Sequence, residues 1–315
     1  MTALAAPSLF RPRLRLRRAT GRAFQGLCLA AGFVAVLVLV VLLADVVWQG
    51  WQFVSWRFLR ELPSQLEPET SGIRGALWGT IWLIVLTALI SVPAGIGAAI
   101  YLEEYARRNR FTGFIQVNIA NLAGVPSVVY GLLGLAVFVR WLLGSRGLLA
   151  GALTMSLLVL PVIIIATREA LVAVPKSIRE AAFAVGATRW QCVRDHVLPA
   201  ALPGIMTGII LALSRAIGET APLIMLGALT YVPFVPGEWS DKYTVTMGGL
   251  WQWLTDVVHS PFSALPIQIY AWASQPDDIF RRLAAAGIIV LLGVLLAMNA
   301  LAAGIRAWQQ RRRAW

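Results

Sequence analysis

Runs of about twenty or more apolar, almost uncharged residues recur along this 315-residue chain, and they leave it few ways to fold. A helix crossing the hydrocarbon layer needs about 20 such residues, because in lipid only a helix or a closed barrel satisfies its own backbone hydrogen bonds. Six runs qualify, over about 23–47, 76–102, 117–139, 148–166, 205–229 and 283–305. Composition agrees: 13% of the residues are charged, against about 25% in a soluble domain. The expected fold is an all-α polytopic membrane protein with six transmembrane helices. An even number of spans puts both ends on one side.

Charge sets the orientation. An Arg-rich arm (Arg11, Arg13, Arg15, Arg17, Arg18, Arg22) precedes the first run. That run is longer than the roughly 7–15 residues of a signal-peptide core and lacks a clear small-x-small cleavage site, so it reads as a retained anchor. With both ends inside, 18 of the 27 basic residues fall in the arm, the 103–111 and 167–203 loops and the stretch from Arg306 onward, 8 fall outside, and Arg215 lies within a span. Positive charge gathers on the cytoplasmic side. The organisation follows: a basic arm over 1–22, the first helix and an external loop over 23–74, a five-helix core over 75–306, and a basic tail over 307–315. The outer loop 230–282 contains a stretch over 249–258 suited to a short amphipathic helix at the interface.

Several chemistries have nothing to work with. Two cysteines (Cys28, Cys192) and two histidines (His196, His259) make neither a disulfide framework nor a metal site. No nucleophile–base arrangement is evident, so no catalytic residue is assigned. A phosphate-binding P-loop needs Gly-x-x-x-x-Gly-Lys-Ser/Thr, and the single Lys176-Ser177 pair lacks the preceding glycines. No cofactor is expected on this chain; any ATP and Mg would be held by a partner.

Two segments carry functional signals. The loop 167–203, about 35 residues long, exceeds a simple turn. It reads as two short helices meeting near Gly186, with Ala181 and Ala182 small enough for close approach to a partner's groove and Glu180 as a fixing charge. The second segment is Ser214-Arg215-Ala216-Ile217-Gly218-Glu219-Thr220-Ala221-Pro222. It puts a base and an acid four residues apart inside an apolar helix, about 18 Å along from Pro203 at 1.5 Å per residue. An intramembrane Arg costs about 2.5–3.5 kcal/mol on insertion scales, so it requires a partner or a path. Glu219 either merely neutralises Arg215 or holds its guanidinium for a passing oxyanion, with Ser214 and Thr220 as added donors. Gly218 and Pro222 permit a bend. Arg168, at the end of the fourth span, either snorkels or belongs to the exit path. Gly204 and Gly208 read as helix-packing positions.

Glu180-Ala181-Ala182, then three residues, Gly186, then about eleven residues to Leu198-Pro199, resembles the signature of ABC importer membrane subunits, the binding-protein-dependent inner membrane components. His196 departs from that pattern, where an aliphatic residue is usual. The resemblance implies a type I permease fold, with coupling helices between spans four and five that seat in an ATPase groove. Arg215 through Pro222, with Gly124-Val125-Pro126-Ser127, Thr167-Arg168-Glu169 and Leu265-Pro266-Ile267-Gln268, is similar to phosphate importer permeases, of the A-type rather than the C-type. It implies a bacterial inner-membrane protein in a heterodimer with a C-type permease, two copies of a cytoplasmic ATPase, and an external phosphate-binding protein. The residues themselves leave open a homodimer, another oxyanion, or a proton-coupled secondary carrier in which Glu219 takes and releases a proton.

Overall fold

The computed structural model describes residues 14–107, 109–228, 232, 234–238 and 246–311. The first 13 residues of the basic arm and the last four of the tail lie outside it. The described residues are helical wherever they are regular. The chain divides into two units, one ending at Gln49 and one beginning at Gly50. The described part of the first is helical throughout and belongs to α1 (Leu14–Gly50), in which the Gln49 amide donates to Asp45 Oδ2 at 2.7 Å. That bond partners the acid within its own helix.

The second unit is a bundle built around α6 (Leu148–Val172). Both α3 (Arg74–Ile100) and α9 (Leu198–Gly218) pack against it. α9 continues without interruption from Arg189, through α8 (Arg189–Gln191) and a π-helical stretch over Cys192–Val197, to give 30 helical residues. The long α13 (Asp278–Arg311) packs on α9 and on α12 (Leu265–Ala273). Small residues bring α9 onto α6: a methyl group at Gly204 would lie 2.9 Å from Ala170 Cβ, and one at Gly208 would press into Ala166. The packing role expected of these glycines is the one they have.

Among the described residues, five helical stretches are long and apolar enough to span a membrane, and a bent pair makes six if it counts as one span. The run over 117–139, expected as one span, is broken into α4 (Arg110–Ala123) and α5 (Ser127–Gly134, continued as a π-helix to Leu143), which meet at 101°. Pro126 is the cause. It has no N–H, and its ring pushes Val125 away from helical geometry. The Tyr130 hydroxyl crosses the bend to donate to Leu122 O at 2.8 Å, a second bond to a carbonyl that also accepts from Val125 N at 3.1 Å.

The short helices expected within 167–203 and over 249–258 are present and extend further than expected. In 167–203 only 173–175 and 185–188 are non-helical, since mixed charge ends an apolar run without ending a helix. Segment 230–282 contains α11 (Met247–His259), capped by the Thr246 hydroxyl, and α12, whose first turn is buried. Leu265 N donates to Thr80 Oγ1 of α3 at 2.8 Å, so this piece belongs to the core.

Candidate functional site

The charged pair sits at a second helix break. Pro222 cannot donate to Gly218 O four residues back, and its ring crowds that carbonyl. α9 therefore stops at Gly218, Glu219 takes an extended conformation (φ −80°, ψ 114°), and the chain restarts as α10 (Ala221–Leu226). Arg215 Nε still donates to Glu219 Oε1 at 3.3 Å, but the bond spans the break instead of running along one helix as expected. The Arg215 side chain is 58% exposed and Glu219 20%. The acid is thus embedded and the guanidinium projects outward.

The neighbouring hydroxyls separate. Ser214 Oγ donates to Asn299 Oδ1 of α13 at 2.5 Å, so it ties α9 to α13 and is not a spare donor beside Arg215. Thr220 is half-buried in the break, and its carbonyl accepts from Leu223 N and Ile224 N, both at 3.1 Å. The break is seated on α5 at Gly131, where a Cβ would lie 2.6 Å from Pro222 O and 2.7 Å from Pro222 Cα. Two interrupted helices therefore face each other, and the charged pair lies at one of the interruptions.

The connecting segment between α6 and α9 forms α7 (Lys176–Ala184) and a tight reversal. Gly186 N donates to Phe183 O and Ala187 N to Ala182 O, each at 3.0 Å, the paired bonds of a Schellman turn. Such a turn needs a left-handed residue, and Gly186 has φ +86°. The Thr188 hydroxyl and the Gln191 side chain then form a reciprocal cap that starts the next helix. Ala182 is buried in the core, whereas Glu180, Ala181, Phe183 and Val185 are exposed. Only one of the two alanines thus stands on the open face. Leu198 and Pro199 are half-buried in the shaft of the long helix, and His196 is exposed.

Salt links absent from the sequence reading hold this end together. Arg179 Nη2 reaches Glu104 Oε1 at 2.6 Å and also donates to Leu171 O at 3.0 Å, while its Nη1 donates to Val174 O at 2.9 Å. Arg168 Nη2 reaches Glu103 Oε2 at 3.3 Å. Glu103 and Glu104 lie in a π-helical turn over Tyr101–Tyr105 that ends α3. The signal was available: two adjacent carboxylates at the end of an apolar run need cationic partners. Asn299 was missed because nothing local marks it. Among the described residues, no three His, Cys, Asp or Glu side chains gather as a metal site would require.

The bundle thus has two interrupted helices, an ion pair at one break and an exposed helix between two long apolar helices, an arrangement compatible with a membrane permease. Residues 91–314 match the family of binding-protein-dependent transport system inner membrane components, and the chain belongs to that family. It is 33% identical to the phosphate transport system permease protein PstA 1 of Mycobacterium tuberculosis (strain CDC 1551 / Oshkosh), over 98% of this chain and 95% of that one. It is 30% identical to PstA of Yersinia pestis, over 91% and 90%. A probable ABC transporter permease, YqgI of Bacillus subtilis (strain 168), is 34% identical over 68% of this chain and 72% of its own length. The fold is similar to a chain of a bacterial alginate ABC transporter solved with an alginate-bound periplasmic protein (TM-score 0.63, 16% identity, 92% of this chain and 96% of that one).

Proposed function

We propose that this chain is the membrane-spanning subunit of an ATP-driven importer of inorganic phosphate and forms half of the translocation path. The observation that carries the reading is the Arg215–Glu219 pair at the α9 break. Glu219 engages Nε, and the exposed remainder of the guanidinium offers a planar donor fork to a tetrahedral oxyanion. Thr220, half-buried, follows Glu219 in the break. One guanidinium would accept sulfate as readily; the choice of phosphate rests on the names of the relatives.

In this reading α7 docks in the groove of a cytoplasmic ATPase. Its open face offers Glu180 and Ala181 beside the apolar Phe183 and Val185, the composition of a helix-in-groove contact. Motion passes into the bundle by two rigid routes, the Arg179–Glu104 link to α3 and the unbroken helix from Arg189 through Leu198 and Pro199. A pair of partner ATPases binds ATP and Mg, a C-type permease subunit completes the path, an external phosphate-binding protein delivers the solute, and both termini are cytoplasmic.

Arg215→Gln tests the site. Phosphate uptake should be abolished while the subunits still copurify, and normal uptake by that variant would refute the assignment.

A further inference from the structure

At the end of the bundle that carries α7, a cavity of about 710 Å³ opens between the end of α3, the start of α4 and the end of α6. That volume falls within the roughly 300–1,000 Å³ of small-molecule sites. Its wall includes Glu103, Asn109, Arg110, Thr112, Gln116 and Arg168. Two guanidinium groups face one carboxylate, so the lining is net positive. The first turn of the 14-residue α4, capped by Asn109 Oδ1 on Thr112 N at 2.8 Å, adds the positive end of its dipole.

Arg168 provides the independent observation. Its Nη2 donates to Glu103 at 3.3 Å, and its side chain is 24% exposed, so part of it stays open on the cavity wall. A ligand with several acceptor oxygens would engage this guanidinium, and Arg110 and Gln116 would supply further donors from the same wall.

The geometry points to an oxyanion-binding site here, taking a phosphate group, either as free inorganic phosphate or as the headgroup of an anionic lipid. It is separate from the path assigned to Arg215 and does not depend on phosphate being the transported solute. An anion bound there competes with Glu103 for Arg168. It does so one residue from the Glu104–Arg179 link that anchors α7.

The test uses the full chain in phosphatidylcholine nanodiscs, with equilibrium binding of radiolabelled inorganic phosphate. A parallel arm adds phosphatidic acid and measures retained lipid by native mass spectrometry. Saturable phosphate binding that persists in Arg215→Gln and weakens at least tenfold in Arg168→Gln and Arg110→Gln supports the site with free phosphate as ligand. Phosphatidic acid retained by the parent and lost in the same two variants supports it with the lipid as source. Arg110 is exposed and outside the ion pairs described above, so its variant keeps the test valid should Arg168→Gln fail to fold. The assignment is overturned if neither ligand binds, if binding is unchanged in Arg110→Gln, or if it disappears in Arg215→Gln.

Discussion

Gly131 connects packing to the site, and a single methyl group tests the connection. Replacing it with Ala would place Cβ 2.6 Å from Pro222 O, 2.7 Å from Pro222 Cα and 2.8 Å from Met225 Cβ. Carbon atoms rest about 3.5–4.0 Å apart, so α10 must retreat from α5 by about 1 Å. Two of the three atoms are backbone, and no rotamer change removes them. Overpacking of this kind costs about 1–3 kcal/mol. The retreat falls three residues after Glu219, so it displaces the carboxylate that holds Arg215. The assay is thermal unfolding of the purified chain in detergent, followed by solute uptake in the assembled transporter. Gly97→Ala is the control, because a Cβ there meets nothing within 4 Å and Ala is the better helix former by about 0.5–1 kcal/mol. Gly131→Ala should lower the melting temperature and impair uptake, while Gly97→Ala leaves the melting temperature level or raises it. Equal melting curves for the two variants would show that the α5–α10 contact does not constrain the break.

Two further outcomes follow from the α7 end. Gly186→Val leaves packing untouched, since a Cβ there also meets open space, yet it forces a β-branched residue to φ +86°, at a cost of about 1–3 kcal/mol. ATP hydrolysis in the assembled complex should continue with little transport, Gly186→Asn should retain more coupling, and a fully coupled valine variant would count against a docking role for the turn. At the Arg179–Glu104 pair, Arg179→Gln should destabilise more than Glu104→Gln. The first strands a carboxylate that is 13% exposed and removes the donor to Val174 O, at about 1–3 kcal/mol per unsatisfied group, while Leu171 O keeps its bond from Val174 N at 3.3 Å. The second leaves the arginine its bonds to Leu171 O and Val174 O. Chemical denaturation of the two variants in parallel would expose the reverse order, if it occurs.

What the sequence made legible was whatever depends on local chemistry. Apolar runs locate the spans, since burial in lipid is paid for residue by residue. Gly186 announced its turn because a reversal between two helices needs a left-handed residue, and Arg215 with Glu219 stood out against an apolar background. Helix ends were less visible. Arg189 through Val197 continues the fifth span in charged residues, and a hydropathy window stops where charge begins, although helical hydrogen bonding does not. The bend at Pro126 was hidden because averaging over 117–139 smooths out one proline between two apolar halves. Pairings across long separations could not be read at all. Ser214 finds Asn299 85 residues away, and Arg179 finds Glu104 75 residues away, through packing that no local pattern encodes.

Reconstitution tests the central claim most directly. The chain is placed in proteoliposomes with a C-type permease subunit, a partner ATPase and an external phosphate-binding protein, and radiolabelled phosphate entry is measured with each component omitted in turn. Entry should require ATP, the ATPase and the binding protein together, and it should persist when the proton gradient is collapsed. Phosphate movement by this chain alone, or movement driven by the proton gradient with ATP absent, would contradict the account.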